Sequence, residues 1–191
     1  MVFRFSLAAF ACLAISSFGC SPSAPAESPA DPPATEPESG APESKPGAPD
    51  FANDPWALAE GNFEGHHSII RVRTGLERFA GDRSYPTRVE IAADFIRPLE
   101  GGMPQPDDAR ALGPIEDEIV RQFDARHEGL LAAVITGNGS RTFVLMSKRT
   151  NVDAMFAAVK AQAAGRTLRL RVEPDPSWDR FHELDAALQH R

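Results

Sequence analysis

Glu64, His66 and His67 fall within four residues, and carboxylate and imidazole are the groups that hold a metal. Adjacent histidines on a strand point to opposite faces. A single such pair also falls short of the three or four ligands of a zinc site. Nucleophilic catalysis needs a Ser or Cys held against a base. The chain has no G-x-S-x-G elbow and no phosphate-binding loop, and Ser140 lies in a G-N-G-S turn signal. Glu116 and Asp117 are paired carboxylates, which acid–base chemistry could use. Consecutive positions on a helix do not face each other, however. Acids in a first turn complement the helix dipole. His127 and His182 stand alone. No catalytic residue, metal or cofactor is expected, and the chain reads as something other than an enzyme.

Arginines offer a second chemistry. Arg71, Arg73, Arg169 and Arg171 occupy the outward positions of two alternating segments, and Arg88 could join them. An open sheet face carrying them would suit an anionic or protein partner. The alternative is pairing across the sheet with Glu90 and Glu173, each pair modest in energy. Residues 51–191 hold 21 acids and 18 bases, a balance of -3. A nucleic-acid binder should carry a basic footprint, so no nucleic-acid partner is expected.

The elements that must position these residues follow from periodicity. Segments 67–74, 87–95 and 167–174 alternate apolar with polar residues and read as strands. Two apolar runs around Gly137-Asn138-Gly139-Ser140 read as a hairpin, because Asn-Gly tolerates the positive φ of tight turns. Residues 113–126 read as a helix, with Pro114 in its first turn and Ile115, Ile119 and Phe123 along one face. Residues 150–165 read as a second helix, capped by Thr150 and Asp153. A third begins near Trp178. The order is β, β, α, β, β, α, β, α. The expected fold class is α+β: a ferredoxin-like split βαβ sandwich. Its antiparallel sheet has helices on one face, an extra N-terminal strand and a C-terminal helix.

The N-terminus carries an address. Arg4 precedes an apolar run from Phe5 to Ile15. At about a dozen residues this is short of the ~20 needed to span a bilayer, and it reads as a signal peptide over 1–19. Gly19-Cys20 resembles a bacterial lipoprotein signal, in which a small residue precedes the cysteine that is acylated. Ser17-Phe18-Gly19 also fits ordinary secretory cleavage. The chain's other cysteine, Cys12, lies inside the signal, so Cys20 has no disulfide partner after cleavage. From residue 21 to 50 there are nine prolines and a charge balance of -5. Such a stretch cannot bury enough apolar surface to order itself. Residues 20–50 are therefore expected to be a disordered acidic tether, and 51–191 a single α+β domain.

Trp56, "GGMP", "IEDEI", "ITGNGSRTFVL" and "DPSWDRF" occur in that order. Together, over about 55–185, they resemble a bacterial family catalogued as domain of unknown function family 695. Trp56, Glu116, Asp117, Asp175 and Trp178 carry the resemblance. It implies a fold and no established activity. The expectation is an exported envelope lipoprotein, anchored to the bilayer through acylated Cys20. Ser21 after the cysteine suggests the outer membrane if the cell is Gram-negative. The domain is expected to be a non-catalytic binding or interaction module. The alternatives are an exported hydrolase-type enzyme, signalled by a deep pocket lined by His66 or Glu116, and a periplasmic or secreted protein without an anchor.

Overall fold

The structure is a computed structural model that describes residues 54–189. Six strands form one antiparallel sheet: β1 (Trp56–Phe63), β2 (His66–Arg73), β3 (Thr87–Asp94), β4 (Gly129–Gly137), β5 (Ser140–Ser147) and β6 (Leu168–Pro174). Their spatial order is β1-β2-β4-β5-β3-β6. Four helices accompany them: α1 (Pro106–Arg110), α2 (Gly113–Gln122), α3 (Asp153–Lys160) and α4 (Asp179–Gln189). A 3₁₀ helix spans Thr74–Phe79. The fold is therefore α+β, as expected, with more strands and helices than the sequence pattern showed.

β1 is the strand that pattern missed. It pairs with β2 from Trp56↔Arg73 to Phe63↔His66, leaving the two-residue loop Glu64-Gly65. Both loop residues have positive φ, 51° and 81°, as a type I′ hairpin turn demands. Glutamate at that position is uncommon, so the turn carried no usual signal. The Asn138-Gly139 turn, with φ of 49° and 77°, lies where it was expected, between β4 and β5. Gly102 of the GGMP segment packs directly on it. A Cβ at Gly102 would stand 2.9 Å from the Asn138 Cα, and the Gly139 N–H donates to the Gly102 carbonyl at 2.8 Å. The motif is thus a close backbone approach that only glycine permits.

The sheet buries apolar side chains on both faces. On one, Val89, Ile91, Phe143 and Leu145 pack beneath Ile115, Ile119 and Phe123 of the α2 region and Val159 of α3. On the other, Ile70, Val72, Val144 and Met146 pack beneath Trp178, Phe181 and Leu184 at α4. The helices thus do not all lie on one face. Alternation lets central β4 serve both cores, and a bulge between Leu131 and Ala133 resets its phase, so that Ala132 and Ala133 both join the α4-side core.

Trp178 anchors α4. It is fully buried with φ of 61°, meets Tyr85 and Phe181 edge-on, and donates its indole N–H to the Tyr85 carbonyl at 3.2 Å. Asp175 caps the helix by accepting the Asp179 N–H at 2.8 Å. α2 and α3 are shorter than the 113–126 and 150–165 segments expected for them. The start of α3 also differs from the expected Thr150 cap: Asn151 Oδ1 accepts the Asp153 N–H at 3.1 Å. An Asx side chain reaching two residues on satisfies that N–H first.

Candidate functional site

The four arginines expected to share an open sheet face do not share one. Arg71 lies opposite Val134 and so projects to the α2 side, and Arg73 follows it two residues on. Arg171 lies opposite Glu90, and Leu168, Leu170 and Val172 turn inward to the α2–α3 core. Arg169 and Arg171 therefore project to the other side. Identical R-x-R spacing reaches opposite faces because the register decides which parity is buried.

The α2 side holds a charge network under an exposed aromatic. Arg73 is only 2% exposed. It donates to Asp124 Oδ2 at 2.7 Å and contacts Asp54 Oδ2 at 3.1 Å. Asp124 Oδ1 in turn accepts the Leu131 N–H at 2.7 Å. Burial pushes the Asp124 carboxyl above its ordinary pKa, outweighing the opposing hydrogen bonds from Leu131 and Arg73. Arg71 donates to Glu116 at 2.6 Å, and Arg141 approaches the same carboxylate at 3.8 Å. The Trp56 ring lies against the Arg71 and Arg73 guanidinium groups, at 5.4 and 5.8 Å from its centroid. Trp56, Leu58 and Val120 all remain exposed. A recess of about 390 Å³ runs between Trp56, Arg71, Glu116 and Val120. Two of the family-signature residues, Trp56 and Glu116, thus meet two of the expected arginines here.

A second recess, about 380 Å³, opens where α4 leaves the β5–β3–β6 half of the sheet uncovered. Its floor carries Thr142, Arg88 and Glu90; Arg180 and Glu183 of α4 form one wall, and Glu64 and His66 of the first hairpin the other. The charges in it are matched. Arg88 contacts Glu173 closely, Glu90 at 3.5 Å and Asp175 at 3.7 Å. Arg180 reaches Glu183 at 2.7 Å, Glu64 at 2.9 Å and Glu90 at 3.7 Å. Arg171 reaches Glu173 at 2.6 Å and Glu90 at 3.9 Å. The pairing of Arg88 and Arg171 with Glu90 and Glu173 is the cross-sheet alternative raised by the sequence. Burial alone would lower the Arg180 pKa; hydrogen bonds and charge from Glu183 and Glu64 outweigh it and raise it. Hydrogen bonding from Arg171, then from Arg88, holds the Glu173 carboxyl below its ordinary pKa.

His66, Ser68, Ser140 and Thr142 also line this recess. Ser68 Oγ donates to the His66 carbonyl oxygen at 3.2 Å, not to the imidazole. Among the described residues the His66 side chain has no hydrogen-bond partner, so no hydroxyl is paired with a base. His67 points away and sits 3.3 Å from Glu60. No group of three or more His, Cys, Asp or Glu side chains could hold a metal among the described residues.

The remaining expected residues are dispersed. Asp117 is exposed on α2, Asp175 and Trp178 set the start of α4, and Arg169 pairs with Asp94 at 2.7 Å. Cys20 lies outside the described residues. Among those described, no helix is long and apolar enough to cross a membrane. The sequence reading did not assemble the second recess, because Arg180 comes from a helix and Arg88 and Glu90 from a strand far earlier in the chain. The local cue was the pair of polar positions Arg88 and Glu90 on an otherwise apolar strand.

No curated protein and no solved structure matches the chain. Residues 54–184, more than half of its length, match the family of unknown function DUF695. That span runs from the Asp54 contact with Arg73 to Leu184 in the α4 core, so it takes in both recesses, and the chain belongs to this family.

Proposed function

We propose that this is a non-catalytic binding domain, and that the recess between α4 and the β3–β6 half of the sheet is where it binds. One observation carries the reading. The recess gathers polar groups on a rigid floor, yet its charged groups are matched to one another and no hydroxyl is engaged by a base. A serine or threonine nucleophile needs that engagement; recognition does not. The order β6-β3-β5-β4, with α2 and α3 in its two crossovers, supports a ferredoxin-like split βαβ unit. β2 and β1 extend that unit at the β4 edge. The sequence of residues 1–50 supports an exported lipoprotein, anchored at Cys20 in a bacterial envelope and holding the domain off the bilayer on an acidic tether.

A hydrolase is the second reading, favoured by the presence of His66 with Ser68, Ser140 and Thr142 in one recess. Incubating the full chain with envelope extract separates the two. Recovery of a bound component in unaltered form supports binding. Turnover that is lost in His66→Ala contradicts it. Mass spectrometry of the mature N-terminus tests the anchor: a diacylated or triacylated Cys20 is expected, and an unmodified cysteine or another start overturns it.

A further inference from the structure

We propose that the α4-side recess takes a neutral, polyhydroxylated ligand of sugar or polyol type. This rests on the binding reading above and deepens it. The charges that line the recess cancel: Arg88, Arg171 and Arg180 against Glu64, Glu90 and Glu183. Each is already in contact with an opposite charge inside the fold. An anionic ligand would have to draw an arginine away from its carboxylates, and would meet Glu90 at the floor. A cationic ligand would have to compete with the arginines for the same carboxylates. Breaking such pairs leaves a partner unmatched at low solvent exposure, which is costly. Arg88, Glu90 and Arg180 are the least exposed of these side chains, at 16%, 15% and 14%.

Arg88 Nε and Arg180 Nε have no hydrogen-bond partner but are shut off from solvent, so the groups left to recognise a ligand are an imidazole, an amide and two hydroxyls. His66, Asn138, Ser140 and Thr142 line the recess, and their side chains make no hydrogen bond within the described residues. The amide and the two hydroxyls each offer both a donor and an acceptor, and the imidazole offers at least a donor. A ligand hydroxyl is likewise both donor and acceptor, so a polyol can match all four without disturbing the ion pairs. An apolar ligand would leave them unmatched. Part-buried Phe63 and Ile135, also in the lining, supply apolar surface for C–H groups. The volume of about 380 Å³ falls within the range of small-ligand sites.

The test is a titration of the ¹⁵N-labelled full chain with a probe panel: maltose, N-acetylglucosamine and xylitol as neutral members, glucuronate and glucosamine as charged analogues, and benzoate as an apolar one. We expect at least one neutral probe to shift the Ser140 and Thr142 amides saturably, with a Kd of about 1 mM. The charged analogues should bind about tenfold more weakly. Thr142→Val should abolish the shift while leaving the rest of the spectrum intact. Ser140→Ala, at the half-buried first residue of β5, should weaken it several-fold and serves if the first variant is unstable. Tighter binding by a charged or apolar probe overturns the ligand class but keeps the recess as a binding site. Silence of every probe overturns the ligand class; silence towards envelope extract as well overturns the binding reading with it. A neutral probe that shifts amides elsewhere, or binds equally well to Thr142→Val, also contradicts the proposal.

Discussion

Arg71 and Arg73 on β2 and Arg169 and Arg171 on β6 have the same spacing and the same alternating neighbours, but different fates. On β2 the arginines turn toward α2, where Arg73 is sealed against Asp54 and Asp124. On β6 they turn toward the half-sheet that α4 leaves bare, where each is 62% exposed and joins a surface ladder with acids. A pattern of charged residues on a strand thus states that one face differs from the other. It does not state which face a helix will cover. The difference also separates two kinds of recess: one built over a buried network and rimmed by exposed Trp56, the other lined by matched charges and free uncharged groups.

The sharpest break in that comparison comes from deleting one arginine on each side. Arg73→Ala leaves buried Asp124 without its cation, while Asp54 keeps Arg78 at 3.2 Å, and a loss of ~3–5 kcal/mol in urea unfolding is expected. Arg171→Ala, made on the same background, should cost no more than ~1 kcal/mol, because exposed pairs contribute little. Similar losses for the two would erase the distinction. Asp175→Ala comes next. It removes the α4 cap, for which ~0.5–2 kcal/mol is typical, and it frees Arg88 from one partner. Binding in the α4-side recess should weaken with it, while the Trp56 indole N–H resonance stays unchanged.

Acid titration contrasts the two sides through opposite signs. Asp124 has a raised folded pKa, so its folded form holds its proton at pH values where the unfolded chain has released it. Stability from this group is greatest in acid and falls as pH rises from the ordinary carboxylate value through the folded one. Glu173 has a lowered folded pKa, so its contribution is present above the ordinary value and is lost as pH falls through the folded one. Unfolding curves across the acid range should therefore show Asp124→Asn relieving a loss that grows with pH. Glu173→Gln should remove a gain that grows with pH. The smallest effect is expected for Arg169→Ala, roughly 0–1 kcal/mol, with no change in the recess.

Much of the architecture was legible because alternation and 3.6-residue periodicity are local. β2, β3, the β4–β5 hairpin and β6 each announced themselves within ten residues. β1 did not, since its turn uses Glu64 rather than Asn or Asp, and its one buried residue, Ala59, gives little contrast. The pairing of Arg88 with Glu173 was legible as an alternative because both lie on alternating strands. The recess itself was not. Its walls depend on where Trp178 docks α4, and that docking is set by Tyr85, Met146 and Ile70, which no spacing in the α4 segment encodes. Likewise, that Arg73 would be buried could not be read from β2 alone. It follows from Asp124, which lies just beyond the end of α2.

The most direct test of which recess serves recognition is a two-site readout on the full chain during titration with envelope extract. The Ser140 and Thr142 amides report the α4-side recess and the Trp56 indole N–H reports the other. Saturable shifts at Ser140 and Thr142 are expected, with the Trp56 signal unmoved. Movement of the Trp56 signal with the Ser140 and Thr142 amides silent would contradict recognition in the α4-side recess.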